Sequence, residues 1–256
     1  MIINTKELTN ALNLIQLKGK WRSMSGVKNG QLGENVTMRF HPNGLLLENG
    51  DNMTYVSKIL EIEVPEDFNI VVEIPSLTKY LKHLGEECEF IVNNNVLVLS
   101  TDNKKANVNV LTTHPHEQAI FKFGDKLNNM PYHTEANLEG VTFGKDGNPY
   151  HVCVHLGNEI FSSLISACET VGSGQYRMDW LDETNSLKME SRNNNENWVE
   201  EMAELNCDFK EGATVEFTGP IHKLFGNEEI NIYLSDDKPI TIISETARLL
   251  RAPIIT

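Results

Sequence analysis

The chain has 256 residues, 40% of them hydrophobic and 23% charged, enough to bury the core of one large domain or two of roughly 125 residues each. Its formal net charge of −14, from 22 basic and 36 acidic residues, argues against nucleic acid unless the lysines gather on one face, since DNA binding rests on cations neutralising phosphates. No run of about 18 apolar residues occurs, so no helical membrane span is expected.

The opening Met1-Ile2-Ile3-Asn4-Thr5-Lys6 lacks the basic, apolar and small-residue order of a secretory signal. A first helix is predicted after Asn4-Thr5, with Leu8, Ala11, Leu12 and Ile15 on one stripe. Its polar side carries Lys6, Thr9, Asn10 and Asn13, and Lys18, Lys20 and Arg22 follow closely. Strands rich in β-branched residues run through 36–64. A second helix starts near Pro75-Ser76, buries Leu77, Tyr80, Leu81 and Leu84, and presents Thr78, Lys79, Lys82 and His83 to solvent. A hairpin follows, from Glu89-Phe90-Ile91-Val92 through Asn93-Asn94-Asn95 to Val96-Leu97-Val98-Leu99.

Residues 115–135, entered through His114-Pro115-His116 and holding Asn128-Asn129-Met130-Pro131, read as a connector between a domain at 1–114 and another at 136–256. Beyond it, His151, Cys153 and His155 alternate, so that a strand there places all three on one face. A third helix from Gly157-Asn158 carries Ile160, Leu164, Cys168 and Val171 on its stripe. Its polar side holds Ser162, Ser163 and Ser166 beside Glu159 and Glu169, with no lysine. Strands at 175–209 precede a fourth helix of barely two turns, with Ile221, Leu224 and Phe225 apolar and His222 and Lys223 on the polar side. The last hairpin runs from Ile230–Leu234 through Ser235–Lys238 to Pro239–Ile243.

These elements repeat. Val72-Glu73-Ile74, a helix, Gly85-Glu86-Glu87 and a hairpin recur as Val215-Glu216-Phe217, a helix, Gly226-Asn227-Glu228 and a hairpin. The expected fold is therefore α+β, a duplicated unit of antiparallel sheets with two short helices on one face. The acidic residues concentrate on strands and loops, at Glu61, Glu63, Glu86-Glu87, Glu200-Glu201 and Asp236-Asp237. Lysines on a helical face without interleaved aromatics suit phosphate contact without base readout.

Catalytic signals are weak. GxGxxG, GxxxxGK[ST] and GxSxG are all absent. His151, Cys153 and His155 allow an alternative reading as the zinc site of a metal-dependent hydrolase, although no fourth ligand is evident nearby. The scattered cysteines (Cys88, Cys153, Cys168, Cys207) have no CxxC spacing and read as reduced thiols of an intracellular protein.

Three segments resemble the sliding clamps of the proliferating cell nuclear antigen family. Thr78-Lys79-Tyr80-Leu81-Lys82-His83-Leu84-Gly85 is similar to that family's second inner helix, and Tyr150 to Cys168 to the opening of its second domain. Asp236-Asp237-Lys238-Pro239-Ile240 with Leu249-Leu250-Arg251-Ala252-Pro253-Ile254 resembles its C-terminal signature. The resemblance implies a non-enzymatic DNA polymerase processivity factor, a six-domain homotrimeric ring around double-stranded DNA. It further implies loading by a clamp loader, partners that dock by short peptides, and no cofactor. DNA would meet Lys6, Lys18, Lys20, Lys79, Lys82, His83 and Lys223. Partner peptides would meet Met53, Tyr55, Ile120, Phe121, Phe123, Pro239, Ala252, Pro253 and Ile254. Subunits would pair by edge strands near 106–111 and 175–181. The location would be cytoplasmic for an archaeal or phage protein and nuclear for a eukaryotic one. A heteromeric checkpoint or transcription clamp subunit is the alternative within the same fold.

Overall fold

A computed structural model of the chain describes residues 1–17, 33–51, 53–114, 124–129, 149–208, 211–219 and 221–254. The chain divides after Lys126 into two compact units. The first contains β1 (Ile2–Asn4), α1 (Thr5–Ile15), β2 (Asn35–His41), β3 (Gly44–Gly50), β4 (Thr54–Leu60), β5 (Phe68–Glu73), α2 (Ile74–Leu81), β6 (Glu87–Asn93), β7 (Val96–Thr101) and β8 (Lys104–Asn109). The second contains β9 (Val152–Gly157), α3 (Asn158–Glu169), β10 (Gln175–Leu181), β11 (Ser186–Arg192), β12 (Asn197–Met202), β13 (Asn206–Asp208), β14 (Ala213–Thr218), a 3-10 helix (Ile221–Phe225), β15 (Glu229–Leu234), β16 (Ile240–Ile243) and β17 (Ala247–Arg251).

Strand pairing makes the duplication explicit. In the first unit the antiparallel orders are β1-β6-β7-β8 and β4-β3-β2-β5. In the second they are β9-β15-β16-β17 and β12-β11-β10-β14. The two lists are the same order written twice, and β13, which pairs with β9, is the one addition. The predicted hairpins are both present. Their turns place Asn94 and Asp237 at φ of 55° and 57°, a left-handed conformation that Asn and Asp tolerate better than other side chains.

The helices form where local chemistry favours them. The Asn4 side chain caps α1 by accepting the Glu7 amide at 2.9 Å, and Pro75 presets the backbone in the first turn of α2. Leu8, Ala11, Leu12 and Ile15 are buried on α1, and Ile74, Leu77 and Leu81 on α2. Each such burial contributes about 1.5–3 kcal/mol for a large side chain.

Four expectations need correcting. On α2, Tyr80 is half-buried instead of buried with Leu77 and Leu81. On α3 the buried stripe is Asn158, Phe161, Leu164, Ile165 and Cys168; Ile160 is half-buried and Val171 lies beyond the helix. The fourth helix is a five-residue 3-10 turn. Its three residues per turn rotate positions relative to an α-helix, and His222 lands inside at 5% exposure instead of on the polar side. Residues 175–181 are not an edge, because β10 is hydrogen-bonded to β11 on one side and β14 on the other. The end strands of that sheet are β12 and β14, and β12 is the more exposed of the two. Among the described residues, no helix is long and apolar enough to cross a membrane.

Candidate nucleic-acid interface and peptide-docking surface

In the first unit α1 and α2 pack against each other and turn their polar sides outward. Lys6, Lys79, Lys82 and His83 are all exposed. Lys79 and Lys82 are neighbours at i, i+3 on the helix surface, and the Lys79 Nζ sits 5.5 Å from the Tyr80 ring centroid. A cation that the helical pattern missed joins them: Lys104, at the start of β8, donates from Nζ to the His83 carbonyl beyond the end of α2. A cation is favoured there because the helix C-terminus carries partial negative charge. Lys105 is exposed beside it. The sequence signal was the Lys104-Lys105 pair, which lies on a strand outside any helical periodicity. Lys18 and Lys20 lie outside the described residues.

The second unit presents a different helical face. Lys223 is exposed, but on α3 the outward positions are Glu159, Ser163 and Ser166. The neighbouring His222 adds no charge at neutral pH, since burial pulls its pKa down to about 4. Its carbonyl and that of Gly226 accept from the buried Asn158 amide, at 3.1 and 2.6 Å, joining the 3-10 turn to α3. Of the expected DNA-facing residues, then, four cluster in the first unit and one stands in the second.

The apolar docking residues of the second unit are brought together. Ile240 pairs with Arg251, so one step on the register sets Pro239 opposite Ala252. Tyr150 donates its hydroxyl to the Pro239 carbonyl at 2.8 Å, and the buried Lys238 donates to the Pro149 carbonyl at 3.1 Å. The Thr214 amide donates to Asp236 at 2.7 Å, and the Ile254 amide to the Glu216 carbonyl at 2.7 Å. Pro239, Ala252, Pro253 and Ile254 are each half-buried, a firmly held strip of partly open apolar surface.

In the first unit, Asp51 accepts the Met53 and Thr54 amides at 2.8 and 2.7 Å, which fixes the turn into β4. Met53 is half-buried, whereas Tyr55 is 4% exposed and donates its hydroxyl to the buried Glu48 at 2.6 Å. Tyr55 is therefore closed off from solvent, unlike Met53. Burial raises the Glu48 carboxyl above its ordinary range, against the lowering effects of Tyr55 and of Arg39, which pairs with it. Ile120, Phe121 and Phe123 lie outside the described residues.

His151, Cys153 and His155 do not form a ligand set. Strand β9 is covered on both faces, with Val152, Cys153 and Val154 all buried, and burial drives the Cys153 thiol upward, away from the thiolate that metals bind. His155 is occupied structurally, bonded to Asn231 at 2.7 Å and Asp208 at 3.0 Å, which ties β13 to the sheet. Among the described residues, no group of three His, Cys, Asp or Glu side chains is placed to hold a metal ion. The hydrolase reading has no site among the described residues.

No protein-family model and no curated protein sequence matches the chain. Solved structures do. The chain is similar to the DNA polymerase III beta subunit of Thermotoga maritima, at 14% identity and a TM-score of 0.71. It is similar to the Helicobacter pylori beta clamp bound to a DNA ligase peptide, at 8% and 0.70, and to A. fulgidus PCNA bound by the C-terminal region of FEN-1, at 16% and 0.67. All of this chain is covered each time, against 65%, 66% and 98% of those chains. The chain thus spans just under two thirds of the length of the bacterial clamps and nearly all of the archaeal one. It has the DNA-clamp fold.

Proposed function

We propose that the chain is a sliding clamp, a non-enzymatic processivity factor that closes into a ring around duplex DNA and tethers DNA polymerase and other proteins to it. The observation that carries this reading is a duplicated clamp-fold unit in which Lys6, Lys79 and Lys82 crowd one helical face of an otherwise acidic chain. A ring keeps its hold mechanically, so a few mobile phosphate contacts are enough and tight ones would oppose sliding. A net charge of −14 then keeps DNA off the rest of the surface. A clamp loader would open the ring, and partner peptides would dock on the apolar strip at Pro239, Ala252, Pro253 and Ile254.

Ring closure has a candidate seam. Within the duplicated unit, β8 and β17 occupy the same sheet-edge position, as do β12 and β4. Strands β17 and β4 are buried along most of their length, while β8 and β12 are mostly open. Trp198 and Val199 on β12 are 42% and 47% exposed, an open apolar edge of the kind that normally finds a partner. The β8 edge brings Lys104 and Lys105, and the β12 edge brings Glu200 and Glu201. Pairing β8 of one copy with β12 of the next is head-to-tail, and a head-to-tail contact closes into a ring when its rotation permits. Light scattering on the pure protein tests the assembly. A mass of three chains supports the homotrimer, and a lone chain points to a heteromeric clamp subunit.

A further inference from the structure

The sheet β4-β3-β2-β5 has a second covered face, opposite the one whose Asn49 amide donates to the Ile15 carbonyl at the end of α1. Thr37 and Ser57 pair with Glu48 from either side, so Arg39 and Tyr55, two residues along each strand, share its face. There Glu48 is fully buried and forms an ion pair with Arg39. The Arg39 guanidinium reaches onward and donates from Nη1 to Asp125 at 2.7 Å. Immediately before Asp125 the chain presses onto the same group. A Cβ built on Gly124 would stand 2.7 Å from a Glu48 carboxylate oxygen and 2.8 Å from the Tyr55 hydroxyl oxygen. A side chain at this position would have to displace those buried groups.

We infer that Tyr55, Glu48, Arg39, Gly124 and Asp125 form a latch that pins the middle of the connector to the first unit, making them positioning residues for peptide docking. Arg39 is its pivot, neutralising the buried Glu48 with one edge of its fork and holding Asp125 with the other, a geometry that lysine does not reproduce. The latch itself stands on these contacts. Its consequence for peptides rests on the clamp reading, in which Ile120, Phe121 and Phe123 end one residue before Gly124. A connector fixed at this point loses less freedom when a peptide lies against it, and so binds more tightly.

Hydrogen exchange on the full chain tests the latch without any partner. Asp125→Ala should speed amide exchange across 124–129 by about tenfold while β6 and β7 exchange as before, and Asp125→Glu should restore slow exchange. Unchanged exchange at 124–129 in Asp125→Ala overturns the latch. Titration with a peptide of the FEN-1 C-terminal region, the segment seen on A. fulgidus PCNA, tests its consequence. Asp125→Ala and Gly124→Ala should weaken binding about fivefold or more with the assembled mass unchanged. Peptide binding equal to wild type in both variants overturns the positioning role. A wild-type chain that binds no such peptide counts against the docking surface, and exchange alone then decides the latch.

Discussion

The two halves of this chain share one strand order and differ in what they show to solvent. The first unit sets Lys6, Lys79, Lys82 and His83 on its helices, with Lys104 at the end of α2. The second sets Glu159, Ser163 and Ser166 on α3 and leaves Lys223 as its exposed lysine beside a buried, neutral His222. Topology is held by buried stripes and hairpin turns, which tolerate few changes. Outward helix positions carry no such constraint, so charge on the two copies is free to diverge. In the proposed clamp, this divergence would assign most of the DNA contact to the first unit.

The sharpest way to break the comparison is through the buried charges, because each unit handles its own differently. Arg39→Met in the first unit strands Glu48 in the interior. Denaturant unfolding should register a loss of about 3–5 kcal/mol, the range for removing one partner of a buried ion pair. Arg39→Met combined with Glu48→Leu should recover most of it. In the second unit His222 takes up its proton near pH 4 when folded and near 6.5 when unfolded. The unfolded state therefore binds more protons in that window, and stability falls as pH drops through it. The loss is about 2 kcal/mol between pH 7 and pH 5, and His222→Gln should flatten that part of the stability curve.

Smaller effects are expected at the surface. Glu200→Lys with Glu201→Lys on β12 should shift the assembled mass toward the single chain at low salt, and adding Lys104→Glu with Lys105→Glu on β8 should restore assembly. Failure of the quadruple variant to reassemble would argue against that seam. Smallest per residue are the DNA contacts, where each lost phosphate contact reduces the salt slope by about 0.9. Lys79→Glu with Lys82→Glu should remove about two such contacts per chain and lower polymerase stimulation. Lys223→Glu should remove at most about one. Equal effects would erase the difference between the units.

Much of this fold was legible in the sequence, because a repeated apolar stripe followed by a hairpin is a local signal. Asn4 as a cap, Pro75 in a first turn, and the Asn94 and Asp237 turns all act within a few residues of themselves. Errors came where three-dimensional neighbours decide. The 3-10 winding turned His222 inward, and β10 took a partner on each side because β14 returned to it from 33 residues or more away. The candidate site divided along the same line. Lys79 and Lys82 announce themselves by helical spacing, and Pro239 and Ala252 by a shared C-terminal pattern. The link from Arg39 to Asp125 spans 86 positions, and nothing local to either residue signals it. Lys104 escaped notice for a related reason, since it serves the end of α2 from a strand 21 positions beyond His83.

Topological capture of DNA is the most direct test. A linear duplex is incubated with the protein, both ends are then capped with bulky blocks, and the complex is washed at high salt. A clamp stays on the capped duplex and leaves once one block is cleaved. Release during the wash, at the same rate with the ends capped or free, would show that no ring encloses the DNA.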